Sequence, residues 1–504
     1  MDVSIEKAVT VDTASVCKDG EIDDHVSSAD YQGRLAGYRE RYPNVNQAKL
    51  VRKIDLRVVP MISILYLLAF LDRVNVSNAV LFSLKPDLKL TGDQFNTALV
   101  VFFVPYVLFE IPSNVFLKRF KPHVWLPLCM FLFGLITILQ GFAQNFGGLV
   151  AARFFLGLAE SGFFPGCCYM LSMWYTRGEA QKRYSFFFSS TTLAGGFGGL
   201  LASAIGKLDG VRGFHGWRWI LILEGILTAV VAVLSYFVLP DFPEDAKWLA
   251  EDEKEYLKAR LCEDVGHSRS QDPLTFRSVL VVLKDPKIIF GPFMYFGLIV
   301  PAYSNSYFAP TIVQTFGHSV ITTQLLSVPP FACAFVFTMI IAFVSDHYRR
   351  RFLFFVGCCA IGLAGYIILL VVHDNTHLQY GALYIVPMGI YSAMPIALCW
   401  FETNLGSHHR RAVGTAAQIS FGNIGGIVAA YSFLTKDSPR FIPGYSINVA
   451  FIILAIASGC GYFLTVRAEN RRRDRMAAEG TAPVLSAEEK EKLGDLNSEY
   501  RYFT

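Results

Sequence analysis

Long apolar stretches separated by short polar segments dominate the chain. A helix needs about 20 residues to cross a hydrocarbon core of ~30 Å, and twelve stretches are of about that length. They form two groups of six, which are separated by a longer charged segment. The stretches cover residues 58–80, 95–117, 124–144, 149–173, 184–206 and 217–239, and then 288–312, 322–345, 352–373, 379–402, 411–434 and 446–467. The pattern predicts an all-α integral membrane protein with twelve transmembrane helices in two six-helix halves.

The polar segments indicate how the chain is arranged across the membrane. Residues 240–287 are densely charged and contain the Glu/Lys spacing of an exposed helix, which predicts a cytosolic linker between bundles 58–239 and 288–467. Lys and Arg concentrate in alternate connections and next to both ends of the chain, and such residues mark the cytosolic side. We therefore expect the tails, residues 1–57 and 468–504, to be cytosolic in a multi-pass protein of the cell membrane.

Composition agrees with a membrane protein and excludes several other classes. Hydrophobic residues make up 53% of the 504 residues and charged residues only 17%, against about 25% charged residues in soluble domains. The net charge is +4, and the basic residues lie at helix ends, so no basic stripe for nucleic acid is present. The ten cysteines lack the spacing of a zinc or redox site. We expect no metal, no other cofactor and no enzymatic activity.

Four charged residues lie within the apolar stretches. Asp72 and Arg73 are adjacent in the first stretch, and we expect them to form an ion pair. Arg153 and Glu160 lie in the fourth stretch, seven residues or about two helical turns apart, so they project from nearly one face. Charges at bilayer depth are costly and normally face a bundle interior or a water-filled path. The sequence therefore predicts that these four residues line one cavity.

These residue types suit the symport of an organic anion with protons. Arg offers a bidentate fork to a carboxylate, so Arg73 and Arg153 are candidate substrate-binding residues. Burial favours the protonated form of a carboxyl and a neighbouring Arg favours the ionised form, so Asp72 and Glu160 are candidates for proton coupling. A second interpretation is that the four residues are ion pairs that hold helices together.

Uncharged polar residues complete the candidate site. Tyr106 and Asn423 lie within the second and eleventh stretches and can hydrogen-bond a bound carboxylate, although packing and helix-to-helix hydrogen bonds are alternative roles. Asn305 lies between Pro301 and Pro310, where the prolines predict a broken or kinked helix next to a cavity.

Several motifs resemble a known family over residues 50 to 470. LDRVNVSNA, RFFLGLAESGFFPG, GWRWILILEG and SDHYRRR are similar to the major facilitator superfamily, and within it to the anion:cation symporter branch and the fungal allantoate permease group. The resemblance implies a major facilitator fold and proton-coupled uptake, by alternating access, of a small organic anion such as nicotinate, pantothenate, allantoate or an ureido acid. It also implies a monomer, proton coupling at Asp72 and Glu160, and anion binding and gating at Arg73 and Arg153.

Further charged residues are candidates for gating or structural ion pairs at the helix ends. They are Glu110, Arg218, Glu224, Asp346 and Arg350. Arg218 and Glu224 lie near the start of the sixth stretch, and we expect them to form an ion pair with a structural role. The loop after the second stretch departs from the superfamily's Gly-x-x-x-Asp pattern and has Pro-Ser-Asn at 112–114, whereas Asp346 supplies an acid in the matching loop of the other half.

The sequence leaves the direction and type of activity open. An exporter of an acidic secondary metabolite can share the same helices and acids. A non-transporting nutrient receptor can also be built on the same scaffold. The expected partners are the organic anion, protons and the lipid bilayer.

Overall fold

The structure is a computed structural model, and it describes residues 42, 45–119, 121–265, 282–348, 350–405, 408–481, 494–498 and 500–503. Most of the predicted N-terminal tail, the middle of the predicted linker and much of the predicted C-terminal tail lie outside these residues. The regular elements within the described residues are all helices.

The first half contains six long helices. They are α1 (Gln47–Val80), α2 (Gln94–Arg119), α3 (Pro122–Gln140), α4 in two segments (Phe146–Glu160 and Phe163–Trp174), α5 (Arg177–Ile205) and α6 (Gly216–Val238). The second half contains six more. They are α7 (Pro286–Gln314), α8 (Val320–Tyr348), α9 (Arg351–Val371), α10 (Thr376–Thr403), α11 (His408–Ser432) and α12 (Ile442–Ala478).

The helices match the predicted twelve-span pattern. Ten of the described helices are long and apolar enough to cross a membrane, and α2 contributes a shorter apolar stretch, Gln94–Glu110. Helix α5 occupies the position of the fifth predicted span. Helix α1 begins earlier than the predicted boundary at residue 57, and α12 continues beyond residue 467, so both helices extend past the apolar stretch.

The two halves are built in the same way. In the first half α1 packs against α5, α2 against α4, and α3 against α6. In the second half α7 packs against α11, α8 against α10, and α9 against α12, which are the same three pairings. The halves meet where α2 contacts α11 and α5 contacts α8, and α1 contacts α7 between them. This repeat is the arrangement in which a transporter rocks two bundles about a central site.

Small residues allow the close contact between α5 and α8. A Cβ atom added at Gly195 would lie 2.6 Å from the ring of Phe331, and one added at Gly199 would lie 2.9 Å from the carbonyl oxygen of Gln324. The glycines of residues 195–199 therefore allow helix to pack closely against helix.

Helix α7 differs from the expectation of a broken helix. It is continuous from Pro286 to Gln314 although it contains Pro292, Pro301 and Pro310. The hydroxyl of Tyr366 donates to the carbonyl of Pro301 at 2.9 Å, which ties the middle of α7 to α9. The neighbouring helices thus hold the proline-containing region within one helix.

The bundle has two ends, which we name by their sequence. The tail face is the end where α1 begins and α12 ends, and the far face is the opposite end. At the far face the amide of Asn96 donates to the carbonyls of Ala430 (2.6 Å) and Phe433 (3.3 Å). The hydroxyls of Thr97 and Tyr431 lie 3.0 Å apart. These contacts between α2 and the end of α11 hold the two halves together at the far face.

At the tail face the linker packs against the first half. The ring of Trp248 in the linker stacks on the ring of Trp174 in α4. A helix, Glu251–Val265, begins three residues after Trp248. The ammonium of Lys53 on α1 lies 2.6 Å from Glu253 on this helix. Partial burial disfavours ionisation, but hydrogen bonds from Lys53 and from a backbone N–H outweigh it and hold the pKa of Glu253 below its usual range.

The end of the chain packs against the second half at the same face. Residues 494–498 and 500–503 lie beside the ends of α10, α11 and α12. The carbonyl of Phe503 accepts two hydrogen bonds from the end of α10. The guanidinium of Arg410 donates to Asp495 at 2.9 Å, and Asp495 is only 1% exposed. A buried ion pair therefore attaches the C-terminal segment to α11.

Candidate transport site

A cavity lies between the two halves near the middle of the helices. Its empty volume, including space open to solvent, is about 460 Å³, but the space that can hold the centres of water-sized groups is only about 30 Å³. Its walls are mostly aromatic and apolar, and the polar groups are few. The lining residues include Tyr66, Phe70, Arg73, Tyr106 and Phe188 of the first half and Tyr295, Tyr303, Tyr391, Ile419 and Asn423 of the second.

Arg73 is the charged group that faces this cavity. Its guanidinium donates one hydrogen bond to the carboxylate of Glu160 on α4 and another to the hydroxyl of Tyr303 on α7. Arg73 and Glu160 are each only 3% exposed. Tyr303 belongs to the second half. The guanidinium of Arg73 therefore links Glu160 of the first half to Tyr303 of the second half.

Aromatic rings surround the same guanidinium. Its central carbon lies 4.9 Å from the ring centroid of Tyr106 and 5.0 Å from that of Phe102. The rings of Phe70 and Tyr303 are each 5.8 Å away. Ring faces attract a cation, more strongly when water is absent. They therefore help to keep Arg73 charged and in place within an apolar region.

Two glycines let α4 bring Glu160 to this position. A Cβ atom added at Gly157 would lie 2.1 Å from the carbonyl oxygen of Phe102, so α4 and α2 are in backbone contact there. A Cβ atom added at Gly162 would lie 1.9 Å from the hydroxyl oxygen of Ser113. Glu160 is the last residue of the first segment of α4, so it lies at the break between these two close approaches.

Asp72 points away from the cavity, and the expected ion pair between Asp72 and Arg73 does not form. Consecutive helical residues project about 100° apart, so the two side chains leave α1 in different directions. Both carboxylate oxygens of Asp72 are buried and accept no hydrogen bond from the described residues. The positive charge of Arg153 attracts the carboxylate of Asp72. The guanidinium of Arg153 also donates a hydrogen bond of 3.3 Å to the backbone carbonyl of Arg73. The four predicted charges are close together, but only Arg73 lines the cavity.

The uncharged candidates divide in the same way. Tyr106 and Asn423 line the cavity, from α2 and α11 respectively. Asn305 is buried and lies within hydrogen-bonding reach of the hydroxyl of Tyr391, outside the cavity lining. Glu110 accepts a hydrogen bond of 3.4 Å from Ser420 across the interface between the halves. Glu110, a candidate for a gating or structural ion pair, thus contributes a hydrogen bond between α2 and α11.

The remaining charged candidates lie at helix ends or inside the first half. Arg218 pairs with Asp87 at 2.9 Å instead of with Glu224. Glu224 is 1% exposed, and neither of its oxygens accepts a hydrogen bond from the described residues. Arg350 precedes α9 and is exposed. The backbone of Asp346 belongs to α8, but its side chain lies outside what the structure describes.

Sequence analysis missed Tyr303 as the partner of Arg73. It named the run around Tyr303 but favoured Asn305, although the two residues lie on different sides of α7. Tyr66, Tyr295 and Tyr391 also line the cavity and were not singled out. The available signal was the number of tyrosines at the middle of apolar helices, where a hydroxyl needs a partner.

Charge is distributed unequally between the two halves. The charged residues at the centre of the bundle, Asp72, Arg73, Arg153, Glu160 and Glu224, all belong to α1, α4 and α6. The sequence of the second half contains no Asp, Glu, Lys or Arg within residues 288–345, 376–401 or 412–435. That half contributes only uncharged polar groups and rings to the cavity.

Two matched helical halves around a central cavity with a buried charge pair are the arrangement of a membrane transporter. A model of the Major Facilitator Superfamily matches residues 62–430. The chain belongs to this superfamily, and it is a multi-pass membrane transporter.

Known proteins are similar along most of the chain. The MFS-type transporter cnsO of Penicillium expansum is 32% identical over 493 residues, which are 95% of each chain. A Schizosaccharomyces pombe protein named as an uncharacterized transporter is 32% identical over 90% of each chain. The crystal structure of a bacterial homolog of the human lysosomal transporter Spinster matches with a TM-score of 0.61 at 15% identity, covering 81% of this chain and 96% of that one. The structural match agrees with the fold.

Proposed function

We propose that this transporter carries a small organic anion together with protons, and that Arg73 and Glu160 couple the two. The observation that carries the proposal is that Arg73 faces the cavity while its guanidinium is already bound to Glu160. A substrate carboxylate that enters the cavity competes with Glu160 for the same guanidinium. Binding of the anion therefore changes the surroundings of the acid.

Competition for Arg73 couples the anion to a proton. A carboxylate that loses its guanidinium partner in a buried site is costly when ionised, so Glu160 takes up a proton when the substrate binds. The site then contains one anion and one added proton, and its net charge is unchanged. When the substrate leaves, Arg73 returns to Glu160 and the proton is released.

The cavity favours a small carboxylate with a planar or apolar body. Tyr106, Tyr303 and Asn423 offer hydrogen bonds near Arg73, and the other walls are rings and aliphatic side chains. Carboxylate vitamins such as nicotinate and pantothenate, allantoate and ureido acids all provide the required carboxylate. Within the superfamily we assign the chain to the anion:cation symporter branch and the allantoate permease group, which its motifs resemble.

We also propose uptake across the cell membrane, with cytosolic termini and a monomeric carrier. The tail face carries Lys49, Arg52, Lys53 and Arg57 at the start of α1 and a run of Arg beyond the apolar part of α12. Lys and Arg next to membrane spans mark the cytosolic side. The described first part of the charged linker, residues 240–265, lies at this same face.

The experiment is uptake of labelled organic acids, nicotinate and pantothenate included, by cells that produce the protein, at acidic pH with and without a protonophore. We expect accumulation of at least one acid that the protonophore abolishes. Glu160→Gln should lose accumulation but retain exchange of substrate across the membrane, whereas Arg73→Ala should lose both. Arg471→Ala, which changes an exposed Arg on the extension of α12, is the control.

Two results contradict the proposal. Accumulation by Glu160→Gln at the level of the unmodified protein would show that Glu160 does not carry the coupled proton. Accumulation that is insensitive to the protonophore, or outward movement of the acid against the proton gradient, would show a different coupling or direction.

A further inference from the structure

Behind Arg73, a second group of ionisable side chains lies away from the cavity. Asp72 on α1 and Glu224 on α6 interact electrostatically with each other, and each is 1% exposed. None of their four carboxylate oxygens accepts a hydrogen bond from the described residues. Neither residue lines the cavity.

The groups that face this pair are few. Asp72 faces Arg153 and Glu160 of α4, and Thr228 of α6 lies near it without a hydrogen bond to its oxygens. Glu224 faces Asp72 but no described cation. Two guanidinium groups, of Arg73 and Arg153, therefore accompany these three carboxyl groups, and Glu110 of α2 is a fourth buried carboxyl, which faces Arg73.

Electrostatics decides which carboxyl is neutral. Glu160 is bound to Arg73, and Asp72 faces Arg153, so each of these acids has a compensating cation. Glu224 lacks one and lies next to another acid. A buried charge without a partner is costly, and two neighbouring carboxylates that are both ionised repel each other.

We propose that Glu224 carries a proton and donates it in a hydrogen bond to the carboxylate of Asp72, forming a second proton-binding site outside the substrate cavity. This arrangement gives the oxygens of both acids a partner and leaves the two guanidiniums balanced by two carboxylates. Its participation in coupling rests on the proposed function, because α1 carries both Asp72 and Arg73 and a movement of α1 changes both sites together.

The test is a count of the protons that purified protein binds, obtained by titration in weakly buffered detergent solution. Glu224→Gln is isosteric with the protonated acid and retains a hydrogen-bond donor. We expect it to bind one proton fewer than the unmodified protein in the neutral range. The matched control is Glu244→Gln, which makes the same change on the exposed linker.

A second readout separates a proton site from a structural role. The unmodified protein should lose thermal stability as the pH rises above the ordinary Glu pKa of about 4.3, because the unfolded chain then releases a proton that the folded protein keeps on Glu224. Glu224→Gln should lose this dependence while remaining at least as stable at acidic pH. A neutral-range proton count and a pH dependence of unfolding equal to those of the unmodified protein would overturn the proposal.

Failure of this proposal differs from failure of the symport proposal. The titration needs no substrate, so it stands even if none of the tested acids is transported. Conversely, protonophore-sensitive accumulation by the unmodified protein together with an unchanged proton count in Glu224→Gln would leave symport in place and remove the second proton site.

Discussion

Removing Arg73 should destabilise the protein in a way that depends on pH and on Glu160. Arg73→Ala deletes the cation that compensates Glu160, and both residues are almost fully buried. The buried carboxylate then remains without a partner unless it takes up a proton. Removing one member of a buried pair commonly costs about 3–5 kcal/mol.

Protonation sets an upper limit on this cost. Protonating a Glu with an ordinary pKa of about 4.3 at pH 7 requires about 3.7 kcal/mol, because each pH unit corresponds to about 1.36 kcal/mol. At pH 5 the same step requires about 1 kcal/mol. We therefore expect the destabilisation by Arg73→Ala to be smaller at pH 5 than at pH 7 by up to about 2.7 kcal/mol.

A second substitution tests the origin of this effect. Combining Arg73→Ala with Glu160→Gln removes both charges and leaves the lost packing of the guanidinium against its rings and the lost hydrogen bond to Tyr303. The double variant should be more stable than Arg73→Ala at pH 7, and its deficit should not change with pH. This rescue is the signature of a directly coupled pair.

The measurement is the thermal unfolding midpoint of purified protein in detergent at pH 5 and pH 7. Arg471→Ala controls for the removal of a positive charge, because Arg471 is exposed on the extension of α12. A deficit of Arg73→Ala that is the same at both pH values, or a double variant no more stable than the single one at pH 7, would refute the reasoning.

Three further predictions concern the two ends of the bundle. Asp495→Asn should lower the unfolding midpoint by removing one member of a buried ion pair, at a cost of up to about 3–5 kcal/mol, whereas Asp474→Asn, which changes an exposed pair, should have little effect. Asn96→Ala should favour separation of the halves at the far face by about 1–3 kcal/mol, which is the contribution of the two hydrogen bonds that it removes. Distances between spin labels across that face should show a larger population with separated halves, and an unchanged distance distribution would contradict this prediction. The contact of Glu253 with Lys53 should persist as the pH falls through the ordinary Glu pKa of about 4.3 and be lost only at more acidic pH, because the pKa of Glu253 is held below its usual range. An α1-to-linker distance that already increases at the ordinary Glu pKa would contradict this prediction.

The membrane-spanning pattern was predictable from the sequence because hydrocarbon thickness fixes the length of each apolar stretch. The family followed from motifs within those stretches. The seven-residue spacing predicted that Arg153 and Glu160 project from nearly one face of α4 and line the cavity; both lie close to residues of α1, but neither lines the cavity.

The pairing of the central charges was predictable only in part. Helical geometry alone excludes a pair between neighbours such as Asp72 and Arg73, and it disfavours one between residues six apart such as Arg218 and Glu224. The actual partners, Glu160 for Arg73 and Asp87 for Arg218, come from other helices or loops. They depend on how each helix is rotated about its axis, which glycine contacts and side-chain packing decide.

The concentration of charge in one half has a consequence for how such carriers diversify. Exchanging the second half, or only the residues that it contributes to the cavity, alters the shape of the molecule that the cavity can bind. The acids and guanidiniums of α1, α4 and α6 are not changed by such an exchange. The residues that shape the cavity and the buried charges can thus change independently within one chain. New specificities can arise in the uncharged half while the charged groups of the other half stay as they are.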